Sequence, residues 1–89
     1  MVAIKCRNMP WRIETDEIEN FFRDFKYLDK SVVLEIGEDG RKTGFGGILM
    51  ESEEQADEAV EALNNADIGG RSMRLQKIAY RQYLNFNKP

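Results

Sequence analysis

The 89-residue sequence contains no histidine and a single cysteine, Cys6. One thiol cannot form an intramolecular disulfide, and a metal site built from imidazole and thiolate has almost no ligands to draw on. The commonest general base is missing too, along with the usual nucleophile–base pairings, so the composition argues against an enzyme. No apolar run approaches the about 18–20 residues that a membrane-crossing helix needs. The opening MVAIKCRNMP has neither the apolar core nor the small-residue cleavage pattern of a secretory signal. The expectation is a chain with no cofactor, metal or membrane partner, held together by packing alone in a reducing intracellular compartment, the nucleus or cytoplasm first and the mitochondrion as the alternative.

Eighty-nine residues leave room for one core. A hydrophobic fraction of 42% with 33% charged residues suits a small, heavily solvated globule better than a disordered segment. The formal net charge of −3 hides a sharp segregation. Residues 1–11 carry Lys5 and Arg7 without an acid, residues 51–67 hold seven acids without a base, and residues 68–89 hold five bases without an acid. What matters for a polyanionic partner is which of these segments share a face.

Periodicity assigns the segments to elements. Val2, Ile4 and Cys6 alternate with Ala3, Lys5 and Arg7, a strand with one apolar and one basic face. Thr15 is a good N-cap for a helix over about 16–25, with Asp16 and Glu17 in its first turn and Ile18, Phe21, Phe22 and Phe25 on one side. Ser31–Ile36 reads as a strand with Val32, Leu34 and Ile36 inward. The turn Gly37–Gly40 then returns the chain as an antiparallel partner over Thr43–Met50. Ser52 and Gln55 form a capping box ahead of a second helix with Ala56, Ala59, Val60 and Leu63 as its stripe. After the Gly69-Gly70 turn, Arg71–Lys77 is a fourth short strand.

The element order is βαββαβ, an α+β ferredoxin-like sandwich in which both helices cover one face of a four-stranded antiparallel sheet. The bare face then presents Ala3, Lys5, Arg7, Val33, Glu35, Arg74 and Gln76, with one acid among them. The acidic helix backs lie behind it, so a domain of negative total charge can still attract phosphate on its open side.

These residues resemble the RNA recognition motif over about residues 2–78. Ile4–Met9 is similar to the family's six-residue motif on the first strand, and Thr43–Met50 to the eight-residue motif on the third, matching at Gly44, Phe45, Gly46 and Ile48. SEEQADEAVEALNNADIGGRSMRL resembles the family's second helix, loop and fourth strand. The family grips single-stranded RNA by stacking bases on two or three aromatic residues of those motifs. Here Lys5 and Gly47 stand at two of those positions, leaving Phe45 as the one stacking ring, with Leu49 beside it. The resemblance therefore implies weak binding that leans on charge.

A second resemblance is to the quasi-RNA-recognition-motif subgroup, typified by heterogeneous nuclear ribonucleoproteins of the F and H type. It is carried by RNMPWRIETDEIENFFRDF, EDGRKTG and GGRSM. It implies contacts to guanine tracts from Arg7, Trp11 and Arg71, although Ser72 stands where that subgroup has an aromatic residue. The expected site comprises Lys5, Arg7, Trp11, Arg41, Lys42, Phe45, Leu49, Arg71, Arg74, Gln76 and Lys77, and the expected ligand is a single-stranded G- or U-rich RNA. Other proteins of a ribonucleoprotein complex are further expected partners, and a degenerate member used for protein recognition is the competing reading. The domain is expected over residues 1–79, followed by an extension, 80–89, whose aromatic residues can pack over the sheet and gate RNA access, or instead mediate self-association or fray.

Overall fold

A computed structural model describes residues 1–87; Lys88, counted above in the basic C-terminal segment, and Pro89 lie outside the described residues. The elements are β1 (Val2–Arg7), α1 (Thr15–Phe21), β2 (Val33–Ile36), β3 (Lys42–Met50), α2 (Glu53–Leu63), β4 (Asp67–Ile68), β5 (Arg71–Ser72), β6 (Arg74–Ala79) and α3 (Tyr80–Leu84), with a 3-10 turn over Asn85–Asn87. The main sheet runs β2-β3-β1-β6, every neighbour antiparallel, and α1 and α2 cover one face. This is the expected α+β ferredoxin-like arrangement.

Alternation along β1 sends Val2, Ile4 and Cys6 beneath the helices, where they meet Ile48 and Met50 of β3, Ile18 and Phe22 of the α1 segment, and Ala56 and Ala59 of α2. Small residues on α2 let it lie close to the sheet, while Phe22 and Ile18 fill the space under α1. Ser52 caps α2 by accepting from the Gln55 amide at 3.1 Å. The reciprocal half of the expected capping box is absent, because the Gln55 side-chain Oε1 accepts from the Lys26 amide at 2.9 Å and so ties the preceding loop to α2.

Four further local expectations are corrected. Helix α1 is capped by Glu14, not Thr15: Glu14 is extended and its amide donates to Glu17 Oε1 at 3.0 Å. The helix also stops at Phe21, its last turn holding no base to offset the dipole, and Phe25 reaches the core from the tight turns that follow. Ile36 is 54% exposed instead of inward, since the β2–β3 register slips between Leu34 and Ile36 and turns the strand end outward. The expected single fourth strand is divided, β4 and β5 forming a small hairpin before β6 takes the edge of the sheet beside β1.

The face opposite α1 and α2 is only partly bare. Tyr83 of α3 packs on Ala3, Leu49 and Ile78, with Val33, Leu28 and Phe86 around them. Ala3 and Leu49, expected to be open, are buried as a result.

Candidate nucleic-acid interface

The exposed end of the sheet is built where β1 and β3 run into their loops. Lys5 lies opposite Gly47 on β3 and Gln76 on β6, and Arg7 lies opposite Arg74. Phe45, two residues along β3 from Gly47, therefore shares a face with them. The Lys5 ammonium sits 5.3 Å from the centroid of the half-buried Phe45 ring, within cation–π range. Arg7, Phe45, Arg71 and Arg74 line a shallow concavity of about 430 Å³ whose floor includes Gly44. Gly44 has φ of 90° and its carbonyl accepts from the Met9 amide at 3.1 Å, a conformation that brings the two loop-bearing strand ends together.

Asn8, absent from the expected site, organises this end. Its backbone is left-handed, with φ of 66°, which its short polar side chain tolerates. The side-chain amide donates to the Ser72 carbonyl at 2.9 Å, and its oxygen accepts from Arg71 Nη1 at 2.9 Å. Arg71 is thereby held over the end of β1 by Asn8, not drawn to an acid of α2. It also lines a second concavity of about 480 Å³ with Trp11 and Arg12. Trp11 is 64% exposed, and the Arg12 guanidinium lies 4.5 Å from its ring centroid. Arg12 was legible only as a base next to an aromatic residue; its stacking needed the loop conformation.

Other expected site residues are placed differently. Arg74 and Gln76 are exposed on the open face, as alternation requires, and Arg41 is exposed in the hairpin, its amide donating to Asp39. Lys42 is committed elsewhere: its ammonium donates to the Ile13 carbonyl at 2.6 Å and lies 3.4 Å from Glu14, pinning the hairpin to the start of α1. Leu49 is 8% exposed beneath Tyr83 and offers no surface to a ligand. Lys77 is on the wrong side of the sheet. It lies opposite Ile4, whose side chain faces the helices, and pairs with Glu53 and Asp57 of α2 at 2.8 Å each. Those carboxylates raise its pKa above the ordinary lysine value.

The model of the family described as the RNA recognition motif matches residues 4–74, which takes in both strand motifs and the whole of this basic end. The chain belongs to that family. RNA-binding protein 12 of Homo sapiens is 39% identical over 73 residues, covering 82% of this chain and 8% of that protein. The chloroplastic 28 kDa ribonucleoprotein of Spinacia oleracea is 32% identical over 68 residues, covering 76% of this chain and 29% of the relative. The chain thus spans a small fraction of the curated relatives it matches.

Among solved RNA recognition motifs and related folds, the Glorund qRRM2 domain superposes with a TM-score of 0.86 at 20% identity, covering 97% of this chain and 98% of the other. G-rich RNA sequence binding factor 1 of Homo sapiens does so with a TM-score of 0.80 at 20% identity, covering 99% and 97%. At that identity the likeness concerns the fold. No helix among the described residues is long and apolar enough to cross a membrane.

Proposed function

We propose that this RNA recognition motif is a single-stranded RNA-binding module acting in RNA processing, which takes a short G- or U-rich segment at the end of its sheet. The observation that carries the reading is the juxtaposition of one aromatic ring, Phe45, with Lys5 at 5.3 Å and with Arg7, Arg71 and Arg74 around a single concavity. A splayed base stacks on Phe45 while the cations neutralise phosphates, an arrangement that disfavours duplex because paired bases cannot reach the ring. The names of the relatives, an RNA-binding protein and a ribonucleoprotein, agree with it.

The quasi-motif reading extends the site. Arg71 borders both the Phe45 concavity and the one at Trp11, so a strand leaving Phe45 meets Trp11 and Arg12 next. One stacking ring in place of two or three makes binding by the isolated domain weak, since each base stack is worth about 1–3 kcal/mol. Joined to other RNA-binding segments or to proteins of a ribonucleoprotein complex, the module gains from effective concentration. Protein recognition as the main role is less well supported: the turn before β6 reads Arg71-Ser72-Met73, without the phenylalanine that would line a peptide pocket.

Titration with single-stranded and duplex oligonucleotides tests the reading. The expected result is single-strand preference, with log K falling against log salt at a slope near about −2 for roughly three phosphate contacts. Phe45→Ala is expected to weaken binding by about 1–3 kcal/mol. Equal affinity of wild type and a Phe45→Ala, Lys5→Ala double variant would exclude this site.

A further inference from the structure

We infer that the C-terminal turn is a fixed occupant of the middle of the sheet: Tyr83 and Phe86 lie over β1 and β3 where further bases would stack, and they confine a bound strand to the Phe45 end. The inference rests on the RNA reading above and concerns how much of the surface that RNA can use.

Gly47 supplies the first argument. It lies on the same face as Phe45, two residues nearer the sheet centre, and has no side chain of its own. A Cβ there would sit 3.0 Å from Phe86 Cε2 and 3.2 Å from Tyr83 Cδ1, tighter than ordinary van der Waals contact. The absence of a side chain at Gly47 is therefore the shape that admits these two rings. The space an aromatic side chain would fill from β3 is filled from the C-terminus instead.

The turn is also held against swinging away. Ala3, Leu49, Ile78 and Tyr83 are each under 10% exposed where they meet, so opening would return all four to water. The Tyr83 hydroxyl donates to the Ser31 carbonyl. Ser31 is itself buried, and its Oγ accepts from the Leu49 amide at 3.1 Å, so the tyrosine is fastened to the same strand it covers. Opening would leave the Ser31 carbonyl without this partner. There is also no slack: β6 ends at Ala79, α3 begins at Tyr80, and the Ala79 amide donates to Gln82 Oε1 at 3.0 Å across the junction. A lid needs a hinge, and here the strand passes directly into the helix. The turn behaves as part of the core, and the gating role open to it from sequence is replaced by permanent cover.

The test is an amide and aromatic NMR titration of the whole chain with G-rich and U-rich single strands of graded length. At saturation, the amides of Gly44, Phe45, Arg71 and Arg74 are expected to shift. The Tyr83 ring signals and the exchange protection of Ala3 and Leu49 are expected to stay unchanged at every length. Displacement of the Tyr83 signals with loss of that protection, while RNA binds, would overturn the inference and leave the RNA reading standing. No shifts anywhere at low salt would remove both. Gly47→Phe supplies a second measure. Its ring is expected to expel the turn, expose Tyr83 and add a stacking platform, tightening RNA binding about tenfold, the lower part of the range for one extra stack. A folded Gly47→Phe variant that exposes Tyr83 yet binds RNA with wild-type affinity would also overturn it, because uncovering the middle of the sheet would then add nothing to the surface the RNA uses.

Discussion

Lys5 and Lys77 project from neighbouring antiparallel strands yet reach different environments, because a shift of one position along a strand changes the face. Lys5 lies over Phe45 on the basic end of the sheet, whereas Lys77 is held between two carboxylates of α2. Cys6, beside Lys5, illustrates the same rule chemically. It points into the core, and burial pushes its thiol from 9.0 up to about 12. The neutral thiol is thus favoured in the folded state, while the unfolded chain ionises near the ordinary value. The resulting stability is fully present below pH about 9 and is lost as pH rises towards 12. Over that window the wild type should lose up to about 1.4 kcal/mol per pH unit from this group. Cys6→Ala has no such slope, so the stability gap between the two proteins, measured by urea unfolding, should narrow as pH rises from 9 to 11. A gap that stays constant would contradict the assignment. Tyr83, whose pKa burial also raises, is common to both and cancels.

At the scale of elements, β3 carries most of the geometry. Gly46 and Gly47 face opposite sides, and each is small for a different reason. Gly47 makes room for the C-terminal rings, while a Cβ on Gly46 would lie 2.5 Å from the Val33 carbonyl oxygen and 2.9 Å from Met9 Cε. Gly46→Ala should therefore strain the β2–β3 pairing, costing about 1–3 kcal/mol as overpacking does, with the loss read as a lower urea midpoint. An unchanged midpoint would show that β2 can shift freely. Elements whose signals are local were legible in the sequence: α2 starts at its Ser52 cap, and β1 alternates as read. The edges were less so. Ile36 obeys the period of its strand until a register slip that only the paired strand imposes. Lys77 is legible as a helix-side residue from its alternation with Gln76, a signal that its charge, shared with the open-face bases, does not carry. Leu49 belongs to the open face, as expected, but its cover comes from a segment far along the chain with no period of its own. Asn8 and Arg12 act through loop conformations that residue spacing does not encode.

For the whole molecule, the question is how a net charge of −3 would coexist with the proposed attraction for a polyanion. The answer is distance against screening. The acids of α2 lie on the helix layer, across the sheet from Lys5, Arg7 and Arg74, and the domain is 19 Å along its thinnest principal axis. At about 0.15 M salt the screening length is about 8 Å, so the acidic layer is largely hidden from RNA on the basic end; at about 0.01 M it is about 30 Å, longer than the domain is thick. Glu54 and Glu61 are exposed on α2, and neither lines the two concavities of the candidate interface. Converting both to glutamine should therefore tighten RNA binding at about 10 mM salt and leave it unchanged at about 150 mM, because only the longer-ranged field spans the domain. Fluorescence anisotropy titrations at the two salt concentrations check this. An equal gain at both would place the acids close to the bound strand, and the segregation of charge across the sheet could then no longer account for how an acidic domain would hold RNA.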